Sequence, residues 1–276
     1  MTLGTRLLLA NHQLKSRGGT EVWTKLMGEY LSDMGYDVYL KTLDGEAPLI
    51  DLPYDDGGEY DIAIINHLEP DEINAKFKIF TSHGVIPTQE ISKPGADVYV
   101  GVSEEVAKVR KYDHIIRNPI DTDLFKPTKP VNKELTNILV ISNNPINKQL
   151  VENACVGYNL RFIGGENRVD NPQDHINWAD LVITLGRGCY EALACNRNVL
   201  IYDYNGGDGM VNKTNIYEYR KNNCSGRYNR YKWTAEQLKQ QLNLYNPDLK
   251  MRDYILKEHS VKSVVDSYLS LLPSRL

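Results

Sequence analysis

No stretch of this chain carries enough consecutive apolar residues to cross a membrane. The start is equally poor in them. Its apolar run, Leu7 to Ala10, is four residues long, too short for a signal peptide and suited to a strand. Cysteine is scarce. Cys155, Cys189, Cys195 and Cys224 include no Cys-x-x-Cys pair, and no histidine partners them at zinc-finger spacing. They are expected as reduced core or helix thiols of a cytoplasmic protein, with peripheral contact at a membrane left open. Positive charge is not in excess: the formal net charge is −4, which speaks against a protein that coats DNA but not against a local basic patch. Internal repeats and low-complexity tracts are also missing. What remains is a globular composition, 41% hydrophobic and 25% charged, in 276 residues, enough for two domains.

Strands and helices alternate, which predicts parallel sheets covered by helices. Strands are expected at Leu7–Ala10, Asp37–Lys41, Asp61–Ile65, Phe77–Thr81 and Val98–Val102. Apolar residues at helical spacing from Val22 to Met34 predict a first helix stopped at Gly35, and Ser103 is placed to cap a helix from Glu104. The pattern breaks at Pro127-Thr128-Lys129-Pro130, which suits a linker. It restarts with strands at Ile138–Ser142, Leu160–Ile163, Leu181–Leu185 and Val199–Asp203, and helices at Lys148–Ala154 and Cys189–Cys195. The tail from Ser260 reads as an amphipathic helix. The expected division is therefore residues 1–127, residues 128–258 and a C-terminal helix over 259–276. Ligands bind outside the carboxyl ends of parallel strands and between domains, so the informative residues should lie in loops after strands.

Five such loops stand out. Gly18-Gly19-Thr20-Glu21 opens the first helix, where paired glycines and free N–H groups suit an anion, or simply a flexible helix start. His83 follows the fourth strand as a polar or proton-transfer group, or as a structural histidine; His67 carries a weaker signal. Lys148, after Asn143-Asn144-Pro145-Ile146-Asn147, can reach a diphosphate or lie solvated on the surface. In Gly186-Arg187-Gly188-Cys189-Tyr190-Glu191 the glycines can offer N–H groups to phosphate and Arg187 adds charge. Glu191 there can accept from both hydroxyls of a ribose, or merely complement the helix dipole from the first turn. The fifth loop, Asn205-Gly206-Gly207-Asp208-Gly209, is dense enough in glycine to need a backbone reason.

In this order and spacing the loops resemble the GT-B glycosyltransferases, the family-4 type above all. Gly18-Gly19-Thr20-Glu21 is similar to the family's GG-x-E loop, and Gly101-Val102-Ser103-Glu104 to its vSe turn. Ile116-Arg117-Asn118-Pro119-Ile120-Asp121-Thr122-Asp123-Leu124-Phe125-Lys126-Pro127 is similar to the signature ahead of the interdomain linker. Ala179-Asp180-Leu181-Val182-Ile183 through Glu191-Ala192-Leu193-Ala194-Cys195 is similar to the aDlvi…EAmAcG segment. The resemblance spans nearly the whole chain. It implies an α/β fold of two Rossmann-like parallel-sheet domains facing across a cleft. It implies transfer of a sugar from a nucleotide-sugar donor, a UDP-sugar first, with retention and without metal or cofactor. Catalytic roles fall on His83 and Glu21. Donor binding falls on Gly18, Gly19, Lys148, Gly186, Arg187, Gly188 and Glu191, with Lys148 near the diphosphate.

The chain also departs from the family. A second glutamate, usual eight residues before Glu191, is Ile183, and the arginine usual five residues before Lys148 is Asn143. The usual Gly-x-Pro reads Asn196-Arg197-Asn198, and the stretch from Gly165 to Ala179 leaves no room for the usual extra strand and helix. These departures imply modest donor affinity and leave open a non-catalytic nucleotide- or glycan-binding protein; a nucleotide-sugar epimerase or a sugar phosphorylase are further alternatives on this architecture. Asp121-Thr122-Asp123 matches the DxD metal motif of the other glycosyltransferase fold, but its place in the signature favours a structural reading. The acceptor stays open among glycan, lipid-linked, small-molecule and modified nucleic-acid classes. The last enters through Arg220, Lys221, Arg227, Arg230 and Lys232, interleaved with tyrosines, for which a solvated basic surface is the plainer reading.

Overall fold

The computed structural model describes residues 4–15, 18–45, 47, 49–86, 88–91, 93–143, 146–204 and 206–274, without the side chain of Gln89. Met1 to Leu3, Ser16 and Arg17 of the first glycine loop, Asn144 and Pro145 of the third loop and Asn205 of the fifth lie outside the described residues. The chain divides into two compact units, Met1–Pro119 with His259–Leu276, and Ile120–Glu258.

The first unit runs β1 (Arg6–Asn11), α1 (Gly19–Asp33), β2 (Asp37–Thr42), β3 (Tyr60–Ile65), β4 (Ala75–Ser82), β5 (Val98–Gly101), α2 (Glu104–Arg110) and β6 (His114–Ile115). Its sheet has the order β2-β1-β3-β4-β5-β6, and every pair is parallel. Successive side chains point to opposite faces, and both faces are covered, so the strands read as unbroken apolar runs. Leu7 and Leu9 join Ile62, Ile64 and Trp23 on one face, while Leu8 and Ala10 join Ala63, Ile65 and Phe80 on the other. The Ser103 hydroxyl caps α2 by accepting from the Val106 N–H, as its position in the sequence predicts.

The second unit runs β7 (Asn137–Ile141), α3 (Lys148–Ala154), β8 (Asn159–Ile163), α4 (Pro172–Trp178), β9 (Leu181–Thr184), α5 (Arg187–Ala194), β10 (Asn198–Asp203), β11 (Gly206–Met210), α6 (Ile216–Tyr219), α7 (Ala235–Leu242) and α8 (Arg252–His259), whose last residue already belongs to the first unit. Its sheet has the order β11-β10-β9-β7-β8, parallel except for β11. The chain then returns to the first unit through α9 (Val261–Leu269), whose Val264, Val265 and Tyr268 share the core of α1. The Tyr268 hydroxyl lies 3.0 Å from Thr81 Oγ1, and its ring meets Trp23 edge-on at 5.7 Å.

Three details differ from the expectations, and a fourth gives the reason for a departure from the family. The segment at Pro127–Pro130 is a strap on the second unit. Buried Asn177 accepts from the Thr128 N–H at 3.0 Å and donates to the Lys126 carbonyl, while buried Arg197 donates to the Lys129 carbonyl at 2.6 Å. Ile120 and Phe125 lie in that unit's core. Between Gly165 and Ala179 there is room for a helix, α4, though not for a strand. The glycine-dense segment after β10 is a strand, β11, not a loop. Its glycines answer to packing: a Cβ on Gly207 would sit 2.4 Å from the Trp233 ring. Finally, Asn196 stands where the family has glycine and takes up the left-handed conformation (φ 52°) that ends α5; after glycine, asparagine is the residue that best tolerates it. Its Oδ1 accepts from the Met251 and Arg252 N–H groups.

Candidate functional site

In each sheet the strand order reverses beside the unit's first strand, and the crevice at such a switch point is where open α/β sheets take ligands. In the first unit the switch lies at the carboxyl ends of β1 and β3, in the second at those of β7 and β9. The predicted site residues lie in the loops and helix starts at these two ends.

At the first switch point Asn11 ends β1, Asn66 and His67 follow β3, and His83 follows β4. His83 Nε2 lies 3.1 Å from Asn66 Oδ1 and Nδ1 lies 3.2 Å from Asn118 Oδ1, while its backbone N–H donates to Glu90 at 2.6 Å. The other Glu90 oxygen lies 3.0 Å from His67 Nε2, and His67 Nδ1 lies 3.0 Å from Asn11 Oδ1. Trp23 closes the cluster with its ring edge-on to His83 at 5.5 Å. Burial drives the His83 imidazole down to about 4, against the pull of the Glu90 and Glu21 charges. Burial alone would raise the Glu90 carboxyl, but the His67 hydrogen bond and the two nearby imidazoles hold it below its ordinary range.

His83 is therefore neutral near neutral pH. It serves as a hydrogen-bonding group that donates once and accepts once, not as a standing acid. Asn11 Nδ2, Asn66 Nδ2 and Trp23 Nε1 are buried without a partner among the described residues. Turning the Asn66 amide would bring its Nδ2 to His83 Nε2 and let the neutral ring accept there. Glu21 sits in the first turn of α1, with its carboxylate folded back so far that a Cβ on Gly18 would meet Oε2 at 2.3 Å. Gly18 caps the helix in extended conformation, and a Cβ on Gly19 would meet nothing within 4 Å.

The titration of His83 has a consequence for stability. Between pH about 6.5 and 4 the unfolded chain takes up a proton at this histidine while the folded chain does not, so stability falls as pH falls. The loss reaches about 3 kcal/mol at most, because the ring keeps a little exposed surface. Urea unfolding of the parent at pH 7 and 4.5 should reveal this drop, and His83→Gln should have a shallower one by about 2 kcal/mol. Equal slopes would refute a buried neutral His83.

At the second switch point β9 ends in Thr184, and Gly186 turns the chain into α5 with φ 57° and ψ −128°, a combination open in practice to glycine. Its N–H donates to the Cys224 carbonyl at 2.9 Å. A Cβ on Gly188 would lie 2.5 Å from Thr184 Oγ1, so glycine lets the helix start close against the strand. The helix begins at Arg187, which makes Glu191 its fifth residue. The expected first-turn place of Glu191 is not met, and with it goes the alternative that it merely complements the helix dipole, because the helix starts two residues earlier than its apolar pattern does. Instead Glu191 accepts from Arg187 Nε at 2.7 Å, with side-chain exposures of 14% and 20%. Burial lifts the Glu191 carboxyl above its ordinary value and the Arg187 guanidinium opposes the lift.

Lys148 opens α3 but stays on the surface: its ammonium is 3.7 Å from Glu152 and over the Phe162 ring at 5.2 Å. Among the described residues it touches no group of the α5 turn. Ile183 is fully buried within β9, and Asn143 Oδ1 accepts from the Gly165 N–H. Asp121 Oδ1 accepts from the Asp123 and Leu124 N–H groups, a turn-stabilising role that accounts for the DxD match.

Sequence reasoning did not single out Asn11, Asn66, Glu90 or Trp23, which carry no motif and meet His83 only in space. Asn118 lay inside the quoted signature. It also missed Ser142 Oγ, which donates to buried Asp203 at 2.7 Å across the ends of β7 and β10. Another omission is the turn at Asn223 and Cys224, both left-handed at φ 54° and 50°, which receives Gly186.

No family model matches the chain, and no curated protein matches it in sequence. Solved structures do match in fold. A glycosyltransferase from Rickettsia africae ESF-5 is 13% identical with a TM-score of 0.59, over 97% of each chain. AviGT4, a glycosyltransferase involved in avilamycin A biosynthesis, is 14% identical with a TM-score of 0.61, over 96% of each. An alpha-glucosyltransferase in complex with UDP and a 13-mer DNA containing a HMU base is 9% identical with a TM-score of 0.56, over 97% of this chain and 99% of that one. The class this defines is one of fold. Two Rossmann-like α/β domains in tandem, parallel but for one edge strand, are the GT-B architecture of those glycosyltransferases.

Proposed function

We propose that the protein is a glycosyltransferase that takes a sugar, with retention, from a nucleotide sugar, a UDP-sugar first. One observation carries the reading. A carboxylate, an arginine and a glycine turn collect at the head of α5, at the switch point of the second sheet. In this reading Glu191 accepts from the ribose hydroxyls, while Arg187 and the N–H groups beside Gly186 and Gly188 meet the diphosphate. Neutral His83 and the unpartnered N–H groups around it offer hydrogen bonds to sugar oxygens, and Glu21 lies close enough to bias that histidine. Lys148 would have to swing from Glu152 to reach a phosphate. The solved neighbour that holds UDP supports the choice of nucleotide.

A second reading, a grip on nucleotide without turnover, is favoured by Ile183 and Asn143. The one is sealed in the core and the other tied to Gly165, where the family has charged groups. A panel of nucleoside diphosphates and their sugars decides. UDP at a hundred times its Kd should stabilise the chain by about 2.7 kcal/mol in a melting experiment. One UDP-sugar should be hydrolysed slowly without acceptor and release the sugar with its anomeric configuration kept. Silence across the panel would end the transfer reading, and binding without hydrolysis or transfer would favour the second.

A further inference from the structure

Residues 217–233 hold five basic residues and one acid in a chain whose formal net charge is −4. The fold seats this segment firmly. Tyr231 pairs with Gly207 in an antiparallel bridge, and the buried Asp208 carboxylate accepts from the Asn229 N–H at 2.8 Å. The left-handed Asn223–Cys224 turn anchors the other end on Gly186. The segment thus borders the head of α5 within one unit.

Arg220 and Lys221 are paired with Glu258 and Glu218, so their charges are offset within the fold. The Arg230 and Lys232 side chains are exposed and bond only to carbonyls, of Arg227 at 3.2 Å and of Tyr204 at 2.7 Å, while the Arg230 backbone N–H is held by Asp208. Among the described residues neither side-chain cation has a carboxylate partner. Around them Tyr204, Tyr228 and Tyr231 are 48%, 44% and 51% exposed. Tyr231 lies nearly parallel to Trp233 at 5.9 Å, and Trp233 to Tyr202 at 5.4 Å, so the outermost ring is held from behind. A merely solvated basic surface gives no reason to hold rings in water. Tyrosines for a neutral glycan give no reason for cations without counter-charge.

We infer that this face binds single-stranded nucleic acid, with phosphates on Arg230 and Lys232 and bases stacked on the tyrosines. As the acceptor class for the transfer proposed above, nucleic acid rests on that reading; as a bound partner it does not.

The test titrates a fluorescein-labelled oligothymidylate of about 15 nucleotides against the full chain over a range of salt. Arg230→Gln with Lys232→Gln should weaken binding about tenfold and lower the log–log salt slope by about 1.4, at about 0.7 per phosphate on single strands. Tyr228→Leu with Tyr231→Leu should weaken it about tenfold and leave the slope unchanged. Both variants should melt and bind UDP as the parent does, which separates a lost face from a lost fold. The inference is overturned if the parent ignores the oligonucleotide or both variants bind like the parent. It is equally overturned if duplex DNA or heparin competes as well as the single strand, or if a maltooligosaccharide is held in its place. A parent that binds the oligonucleotide but no nucleoside diphosphate would sustain this inference while striking the donor reading.

Discussion

Glu191→Ala lowers the affinity for UDP by about tenfold to a hundredfold or more and lowers the melting temperature by only about 3 °C; this is the expected result of calorimetric titration beside a melting curve. A carboxylate accepts from both ribose hydroxyls at once, and each hydrogen bond to a charged group contributes about 1.5–3 kcal/mol. The same carboxylate is joined to Arg187 at 2.7 Å, so its removal also loosens the cation nearest the turn. Within the protein alone the loss is small, about 1 kcal/mol, because an i,i+4 pair on one helix contributes little. Glu191→Gln keeps the shape and one acceptor oxygen, and should fall between parent and alanine. Because burial raises this carboxyl, UDP affinity should also decline on acidification sooner than an ordinary carboxylate would allow. Undiminished UDP affinity in Glu191→Ala, alongside a lower melting temperature, would make the Arg187 pair structural and remove the ribose assignment.

Asp180→Ala is expected to act in the opposite sense, with stability lost and UDP affinity kept. Asp180 belongs to the same family-like segment as Glu191 but lies at the other end of β9. It is 2% exposed, and its carboxylate accepts from the Asn132, Thr136 and Asn137 N–H groups at 2.8–3.1 Å and from the Asn132 amide at 3.1 Å. Alanine strands these donors. Each buried donor left without a partner costs about 1–3 kcal/mol, and since water can reach part of the strap the total should be about 3 kcal/mol. For a unit of this size that lowers the melting temperature by about 10 °C. Asp180→Asn, which retains one acceptor, should lose about half as much. A drop in UDP affinity measured well below the melting transition, with stability unchanged, would refute the structural role.

These two residues separate what was legible in the sequence from what was not. Both carry the resemblance, yet one is proposed to hold the donor and the other straps a segment to its sheet. The sequence offered the ribose role of Glu191 as one of two readings but gave no sign of the Asp180 strap, because side-chain partners 43 to 48 residues away leave no local pattern. His83 was legible as a polar residue at a strand end. That it is neutral and held between Asn66 and Asn118 depends on strands brought side by side.

The alternation of apolar runs and helical spacing determined the parallel sheets, because a strand covered on both faces must be apolar throughout and a covering helix must be apolar along one stripe. The glycine turns and the cap at Ser103 were likewise written locally, since each answers to a backbone conformation or an N–H a few residues away. Tertiary structure alone decided the rest. It made a glycine-dense loop into β11 under Trp233 and turned the proline segment into a strap on Asn177 and Arg197. It also brought Asn11, Asn66, His67, Glu90 and Trp23 around one histidine. Packing and burial are properties of neighbours in space, and the order of strands that sets those neighbours is not a property of any one segment.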